Sequence, residues 1–256
     1  MPKRRRSDVS SAESVFEAVN AGPRLMWTVK LRGRDETEWD WQQRRPPPLR
    51  LLVPVRRPHS SRNNRHIPAA AYSMINGGLV ELESGLEHDL VRSIDRDRRI
   101  QLIIAQPFTL SWKRSRHTPD LLTVTEGGAV TVWDVRAIER QDDDFRAKSE
   151  ITRQECRAVG WAYRVFEGLD RIERLNLLWL HCCRQRPAWA DAHEERICAL
   201  VGAGVTLGHL FAHDDGSGEL KSTVWHLLWR GELEIDMYSP WDLTTQVTVK
   251  RGNEDA

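Results

Sequence analysis

The sequence has no long apolar segment, few cysteines and almost no net charge. Its 256 residues carry four cysteines and a formal charge of +1. No stretch approaches the ~20 apolar residues that a membrane-spanning helix needs. The basic cluster at residues 3–6 is not followed by an apolar run, so no signal peptide is expected. The cysteines form no CxxC pair. We therefore expect a soluble, cytoplasmic protein with free thiols and no membrane partner.

The tripeptide His181-Cys182-Cys183 contains two residue types that bind zinc. Adjacent cysteines, however, are poorly placed for tetrahedral coordination, and the residues around them have the pattern of an apolar helix. We therefore interpret these side chains as part of a core and not as metal ligands.

The basic residues are unevenly distributed along the chain. Between residues 44 and 65 there are seven arginines and no acidic residue. Such clusters often contact phosphate, whereas others are solvated tails; we favour contact with nucleic acid. Because three consecutive prolines begin at Pro46, we expect residues 1–66 to form a basic, partly disordered N-terminal arm. Its predicted DNA-binding residues are Arg44, Arg45, Arg50, Arg56, Arg57, Arg62 and Arg65.

A regular hydrophobic pattern begins near Tyr72 and predicts an α/β domain over residues 67–168, with a mixed sheet flanked by helices. Ser84 and Glu87 form a capping-box sequence, which predicts a helix at 85–95. Glu126-Gly127-Gly128 separates two apolar runs and predicts a hairpin. The further predicted elements are strands at 100–105, 108–112, 121–125, 130–135 and 161–166, and a helix at 149–159 that begins at Ser149.

The pattern changes after Gly168, where short helices predominate. Helices are predicted at 170–184, 192–201, 207–212 and 224–229, followed by strands at 233–238 and 246–249. Short helices followed by a two-stranded ribbon are typical of a winged-helix module. We therefore expect a small, mainly helical, winged-helix-like domain over residues 169–256.

The predicted hairpin decides whether two carboxylates meet. Side chains alternate along a strand, so Asp120 can stand opposite Asp134 on one face only if the loop between the strands has the right length. A three-residue loop, Glu126-Gly127-Gly128, gives that register, with Gly128 in the left-handed conformation. A two-residue Gly-Gly loop would place the carboxylates on opposite faces. Arg136 shares the face of Asp134, two residues further on.

Two facing carboxylates repel each other unless a positive charge lies between them. A hard divalent cation such as Mg²⁺ would supply that charge and could activate water against a phosphodiester. Glu87 is a candidate third carboxylate, although its place three residues after Ser84 also fits a purely structural helix cap. Asp120 could equally start a strand, and Asp134 with Arg136 could be an ordinary surface pair. The residues alone leave these alternatives open.

Short motifs follow one another along the chain: Glu83-Ser84-Gly85-Leu86-Glu87, Gln106-Pro107-Phe108, His117-Thr118-Pro119-Asp120, Asp134-Val135-Arg136, and later Val159-Gly160-Trp161 with Tyr163-Arg164-Val165. Each is unspecific alone. Their order and gaps, over about residues 70–250, resemble TnsA-like transposase endonucleases, which belong to the restriction-endonuclease-like PD-(D/E)xK group.

The resemblance implies a restriction-endonuclease-like sheet in which Glu87, Asp120 and Asp134 act as catalytic residues and bind Mg²⁺, or Mn²⁺ in its place. Arg136 would occupy the position of the family's catalytic lysine. Gln106 and His117 would lie in the same pocket. Members of the family cut one DNA strand at each transposon end, beside a DDE-type transposase subunit that cuts the other strand and an ATPase regulator.

Arg136 departs from the family's pattern. A guanidinium stays charged and can clamp a phosphate, but it cannot serve as a proton shuttle as a lysine can. We therefore expect a metal-dependent DNA endonuclease subunit, with two alternatives left open. One is a DNA-binding scaffold with a degenerate active site, and the other is a stand-alone restriction or repair nuclease of the same fold.

Overall fold

The computed structural model describes residues 25–41, 46–56, 69–113, 115–202 and 204–250. These residues divide into two compact units. The N-terminal unit comprises the described residues up to Glu87 together with Ile100–Glu167, and the C-terminal unit comprises His88–Arg99 together with the described residues from Gly168 onward. The division after Glu167 lies beside the predicted domain boundary, whereas residues 88–99, predicted for the catalytic domain, fall in the C-terminal unit.

The N-terminal unit is built mainly from strands. In chain order its elements are β1 (Met26–Lys30), β2 (Glu36–Trp39), β3 (Ala69–Ser73), β4 (Gly78–Leu82), α1 (Gly85–Ile94), β5 (Ile100–Ala105), β6 (Phe108–Trp112), β7 (Ser115–His117), β8 (Leu121–Thr125), β9 (Val130–Val135), α2 (Asp143–Ala158) and β10 (Ala162–Phe166). Short 3-10 turns form at Leu49–Leu51 and Ile138–Arg140. From His88 onward, α1 belongs to the C-terminal unit.

Two four-stranded sheets and a hairpin organise this unit. The first sheet has the order β10-β9-β8-β5, in which β9 pairs with β10 in parallel and with β8 antiparallel. The second sheet has the order β2-β1-β6-β7 and is antiparallel throughout. β3 and β4 form the hairpin. The fold class is therefore mixed α/β, as the sequence predicts.

The apolar core of the N-terminal unit combines side chains of both sheets. Trp27 and Val29 of β1 are buried in one cluster with Phe108 of β6 and Val132 of β9. The rings of Trp27 and Phe108 lie 4.4 Å apart. The indole nitrogen of Trp27 also donates to the carboxylate of Glu155 at 3.3 Å. β1 is therefore an integral part of this core.

The prediction of one arm over residues 1–66 is consequently wrong for the described residues 25–41 and 46–56, which belong to the N-terminal unit. Leu52, within the predicted arm, is itself a core residue. The physical reason is long-range pairing, because β1 lies between β2 and the distant β6. The local excess of arginine and proline that suggested an arm carries no information about such pairing.

The β8–β9 hairpin has the predicted register. Leu121 pairs with Trp133, which places the preceding Asp120 opposite Asp134. The amide of Thr125 donates to the carbonyl of Ala129 at 2.9 Å, so these two residues close the hairpin and the three predicted loop residues, Glu126-Gly127-Gly128, lie between them. The condition that the sequence set for the two carboxylates to meet is therefore fulfilled.

Helix α2 begins earlier than predicted. Ser149, predicted as its first residue, is buried within the helix. The N-cap is Asp142, whose carboxylate accepts a hydrogen bond from the amide of Phe145 at 2.8 Å. Serine and aspartate are both good caps, but the acidic run that begins at Asp142 also suits the positive end of the helix dipole.

The C-terminal unit is mainly helical. After residues 88–99 its elements are α3 (Arg171–Cys182), α4 (Ala190–Val201), β11 (Val205–Thr206), α5 (Leu207–Phe211), α6 (Glu219–Trp229), β12 (Leu233–Ile235) and β13 (Gln246–Val249). The three strands form a sheet of order β11-β13-β12. Its core contains Leu180 of α3, Ile197 of α4 and Leu227 of α6. The helices and the last two strands are confirmed, whereas β11 was not predicted.

All four cysteines are free, as expected. Cys156 is buried in the N-terminal core. Cys182 is exposed and Cys183 half-buried, so the interpretation of that pair as core residues is wrong for Cys182. No helix in the ranges that the structure describes is long and apolar enough to cross a membrane.

The hairpin register makes a prediction about its two glycines. Gly128 has φ +80°, and a Cβ built there would meet no atom within 4 Å. Gly128→Ala should therefore lower the free energy of unfolding by about 1 kcal/mol through backbone strain alone. Gly127→Ala is the matched control, because Gly127 lacks a positive φ and its Cβ would make an ordinary contact at 3.9 Å. Equal losses for both variants in urea denaturation would contradict the register argument.

Candidate active site

Two aspartates, Asp120 and Asp134, lie side by side at the open end of the β8–β9 hairpin, away from its loop. The amide of Asp120 donates to the carbonyl of Trp133 at 3.0 Å. The carboxylate of Asp120 accepts a hydrogen bond from the amide of Val135 at 2.6 Å. Asp134 lies between these two residues of β9, so both carboxylates occupy the same corner of the first sheet.

Asp134 is a buried carboxylate whose two oxygens have different environments. It follows Val130 and Val132 on the buried side of β9 and is 1% exposed. Its Oδ2 lies 2.8 Å from Nε2 of His117 and accepts a hydrogen bond from the hydroxyl of Tyr163. Its Oδ1 is buried and has no hydrogen-bond partner in the described part of the chain. An unsatisfied buried oxygen is costly, and a further ligand at Oδ1 would remove that cost.

Glu87 forms a helix cap. Its carboxylate accepts hydrogen bonds from the amide of Glu83 at 2.9 Å and from the hydroxyl of Ser84 at 2.7 Å. The amide of Glu87 in turn donates to the Ser84 hydroxyl at 3.2 Å, which completes a capping box at the start of α1. The structural alternative for Glu87 is therefore observed. The same side chain is buried and lines one pocket with Asp120 and Asp134.

Burial and negative charge act together on this group of side chains. Burial and the charges of Asp134 and Glu87 raise the pKa of Asp120 well above its usual range. Burial also raises the pKa of Glu87, against the opposing effect of its hydrogen bonds. Burial and the charge of Asp134 raise the pKa of the Tyr163 hydroxyl, which therefore remains a donor at neutral pH. A cation would relieve the repulsion among the carboxylates.

The pocket that contains these residues has a volume of about 400 Å³. Six carboxylates line it, and three basic side chains accompany them. The acidic residues are Glu83, Glu87, Asp120, Asp134, Asp142 and Asp144, and the basic residues are Arg136, Arg140 and Lys148. His117 lines it as well, as predicted. The excess of carboxylate oxygens suits a hard divalent cation.

Arg136 lies in the lining of the pocket, as predicted, and its side chain is exposed. Its Nε donates to the carbonyl of Arg140 at 2.8 Å. Its guanidinium lies 5.6 Å from the ring centre of Phe145 on α2. The loop that contains Arg136 and the following helix, α2, thus both hold its guanidinium at the rim of the pocket.

Gln106 does not belong to the lining of this pocket, which corrects its prediction as a pocket residue. Its side chain is buried and its φ is +45°, a conformation that non-glycine residues rarely adopt. The amide of Gln106 donates to the carbonyl of Asp120 at 2.8 Å. Its carbonyl accepts from the amide of Val55 at 3.0 Å, so the backbone of Gln106 links these two segments.

Tyr163 and Lys148 are site residues that the sequence did not reveal. Tyr163 reaches Asp134 because β10 lies parallel to β9, with Tyr163 beside Val132. Lys148 reaches the pocket from α2. The motif around Tyr163 marked a strand, but no local pattern aligns a parallel strand with its neighbour or aims a helix at a distant pocket.

Two of the arginines predicted to bind DNA, Arg50 and Arg56, lie in the described residues. Arg50 donates to the side chain of Gln101 at 2.8 Å. Arg56 forms an exposed ion pair at 2.7 Å with Glu83, which lines the pocket. Both side chains are exposed. The remaining predicted residues, Arg44, Arg45, Arg57, Arg62 and Arg65, lie outside the residues that the structure describes.

Of the three predicted metal ligands, two are suited to hold a divalent cation and the third is not. Within the described ranges, no group of three or more histidine, cysteine, aspartate or glutamate side chains is arranged as a metal site. Asp120 and Asp134 offer hard oxygen ligands, and the unpartnered Oδ1 of Asp134 favours a ligand there. Glu87 could join them only by exchanging a cap hydrogen bond for the ion.

No protein-family model matches the chain, and no curated protein matches it significantly in sequence.

Replacing Asp120 by asparagine should stabilise the metal-free protein at neutral pH. Because folding raises the pKa of Asp120, its ionisation favours the unfolded state. This penalty is absent below the unfolded pKa of about 4 and grows as the pH rises through the folded value. Urea denaturation in EDTA should therefore show a higher free energy of unfolding for Asp120→Asn than for the wild type. This difference should disappear as the pH falls to about 4.

The exposed Glu126→Gln of the hairpin loop is the control for simple loss of negative charge. It should show no comparable gain at any pH. A destabilised Asp120→Asn, or a gain in the free energy of unfolding that does not depend on pH, would contradict a raised pKa of Asp120 in the folded protein.

Proposed function

We propose that this protein is a divalent-metal-dependent DNA endonuclease whose pocket at the end of the β8–β9 hairpin hydrolyses a phosphodiester. The observation that carries the proposal is the pairing of Asp120 and Asp134 in one corner, where Oδ1 of Asp134 has no partner among the described residues. A basic side chain, His117, pairs with Asp134 through Oδ2 at 2.8 Å and leaves Oδ1 without a partner among the described residues. Burial and, after it, the charge of Asp134 raise the pKa of Asp120.

The order of elements around the pocket supports a restriction-endonuclease-like fold. The sequence of α1, then β5, β8 and β9 antiparallel, then α2 and the parallel β10 gives the mixed sheet expected for that group. Two strands of the second sheet, β6 and β7, lie between β5 and β8 in the chain, whereas its other two strands, β1 and β2, precede β5. Fold alone does not define function, so the carboxylate pair remains the decisive feature.

Within this class we propose a TnsA-like subunit of a heteromeric transposase that cuts DNA at transposon ends. The succession of motifs supports this assignment. The order α4-β11-α5-α6-β12-β13 in the C-terminal unit supports the proposal that this unit is winged-helix-like. Seven of the 11 residues of α6 are buried, so little of that helix is available to a DNA groove. We propose that this unit instead contacts the DDE-type transposase subunit or the ATPase regulator.

Each residue of the pocket has a separate role in the proposed reaction. Asp120 and Asp134 would hold Mg²⁺ or Mn²⁺, which would supply activated water and stabilise charge on the phosphodiester. His117 and Tyr163 hold Asp134 through Oδ2 and so leave Oδ1 as the oxygen that lacks a donor. Arg136 keeps its charge and is suited to clamping a phosphate at the rim.

A second candidate function is a DNA-binding scaffold that does not cut. Two observations favour it: Glu87 is committed to the capping box, and Arg136 is held by its own loop. This function predicts DNA affinity that falls steeply with salt, because phosphate contacts release counterions. It also predicts no cleavage with any divalent ion.

Nicking of supercoiled plasmid DNA distinguishes these functions. With Mn²⁺, the 256-residue chain should convert supercoiled plasmid to open circles. Asp120→Asn and Asp134→Asn should lower the rate by more than about 100-fold, since even changes behind the ligands cost roughly 10–100-fold. Glu126→Gln is the acidic control and should nick like the wild type. If the wild-type protein binds DNA in a salt-sensitive manner without nicking it, the nuclease proposal is contradicted and the scaffold function is supported.

Glu87→Gln separates the cap from a role at the ion. Glutamine also satisfies a capping box, so the free energy of unfolding should stay within about 0.5 kcal/mol of the wild type. Glu87→Ala should lose about 1 kcal/mol because the cap is removed. We expect Glu87→Gln to lower nicking about 10-fold through loss of its charge near the ion. Wild-type nicking by Glu87→Gln would limit the ion's ligands in this pocket to Asp120 and Asp134.

A further inference from the structure

The three basic side chains in the pocket lining are held in different ways. Arg136 and Arg140 follow β9 on a loop, and both are exposed. The guanidinium of Arg136 is engaged with the carbonyl of Arg140 and the ring of Phe145. Lys148 instead projects from α2, a regular element. Groups on a packed helix are positioned more reproducibly than groups on a loop.

Helix α2 places Lys148 at the edge of its buried side. Ser149 and Thr152, its neighbours on that side, are buried. The hydroxyl of Thr152 donates to the carbonyl of Lys148 at 2.8 Å. The Lys148 side chain is 29% exposed. Its backbone is therefore fixed, while its ammonium sits on a flexible stem that reaches the pocket.

The ammonium of Lys148 pairs with the carboxylate of Asp144, one turn earlier on α2, at 2.6 Å. Asp144 is 74% exposed, and ion pairs of this kind contribute little because water and salt screen them. A phosphate in the pocket would offer Lys148 a multiply charged acceptor, while Asp144 would remain solvated. Exchange of one partner for the other is therefore inexpensive.

An anionic substrate also needs a cation in this lining. Six carboxylates surround the pocket, and a phosphodiester that approaches them meets repulsion even after one divalent ion has bound. A compact ammonium can donate to a phosphate oxygen in directions that a planar guanidinium, held by its own loop, cannot.

We propose that the ammonium of Lys148 donates from α2 to the phosphate held in the pocket. The helix thus supplies an ammonium, whereas the residue that follows β9, Arg136, supplies a guanidinium. This inference rests on the proposed function, because its ligand is a phosphodiester. Arg136 then remains a clamp at the rim. No covalent step is assigned to Lys148; its role is to bind and stabilise the phosphate oxygen.

Chemical acetylation measures this contact without requiring cleavage. The chain is treated with limiting acetic anhydride in the presence of Ca²⁺, with and without a short DNA duplex, and each lysine is followed by peptide mass spectrometry. DNA is expected to protect Lys148 several-fold. Lys221 of α6 is the matched control, since it is also a helical lysine paired with an aspartate, Asp214, at 3.8 Å. Equal acetylation of Lys148 with and without DNA would overturn the proposal.

Nicking of supercoiled plasmid with Mn²⁺ provides the second measurement. Lys148→Ala is expected to lower the rate about 10- to 100-fold, as for loss of one hydrogen bond to a charged group. Lys221→Ala should not change it. Arg136→Lys in the Lys148→Ala background should restore most of the activity, because it returns an ammonium to the same pocket. If Lys148 had a purely structural role, Arg136→Lys would not restore nicking. Undiminished nicking by Lys148→Ala would contradict the inference.

The two measurements separate this inference from the nuclease proposal. If wild-type protein does not nick but DNA protects Lys148, the nuclease proposal fails and the phosphate contact is supported. If wild-type protein nicks while Lys148 is unprotected and replaceable by alanine, the contact is refuted and the nuclease proposal stands.

Discussion

The repulsion between Asp120 and Asp134 is the constraint on which the rest of the N-terminal unit depends. The β8–β9 register places the two residues opposite each other, and a slip of one residue would turn one of them to the other face. The apolar cluster of the core reaches Val132 on the same strand and stops where these carboxylates begin. Burying like charges opposes folding, so the surrounding structure must hold this corner together.

Both sheets take part in holding it. Asp120 and Tyr163 belong to the region of the first sheet, whereas His117 ends β7 of the second. His117 and Tyr163 converge on the same oxygen of Asp134. The second sheet in turn depends on β1, whose Trp27 packs into the shared core. A segment that looks like part of a basic arm is therefore needed for the geometry of the candidate active site.

The features that the sequence predicts well are those governed by neighbours in the chain. Ser84 and Glu87 predict the start of α1, and Glu126-Gly127-Gly128 predicts the hairpin. Both predictions succeed because caps and tight turns depend on a few adjacent residues. The features that it misses depend on distant partners. Tyr163 contacts Asp134 only through parallel pairing of β9 and β10. The site role of Glu87 is likewise ambiguous in sequence, since one pattern serves both the cap and the pocket.

The carboxylates of the pocket are stabilised mainly by hydrogen-bond donors, together with the imidazole of His117 at Asp134. Glu87 accepts from a backbone amide and a hydroxyl, Asp120 from a backbone amide, and Asp134 from a hydroxyl beside His117. Amide and hydroxyl donors favour the ionised form without cancelling its charge, whereas a paired lysine or arginine would cancel it. Burial of these carboxylates therefore has a cost in folding free energy. A divalent ion held there, as proposed, would offset that cost.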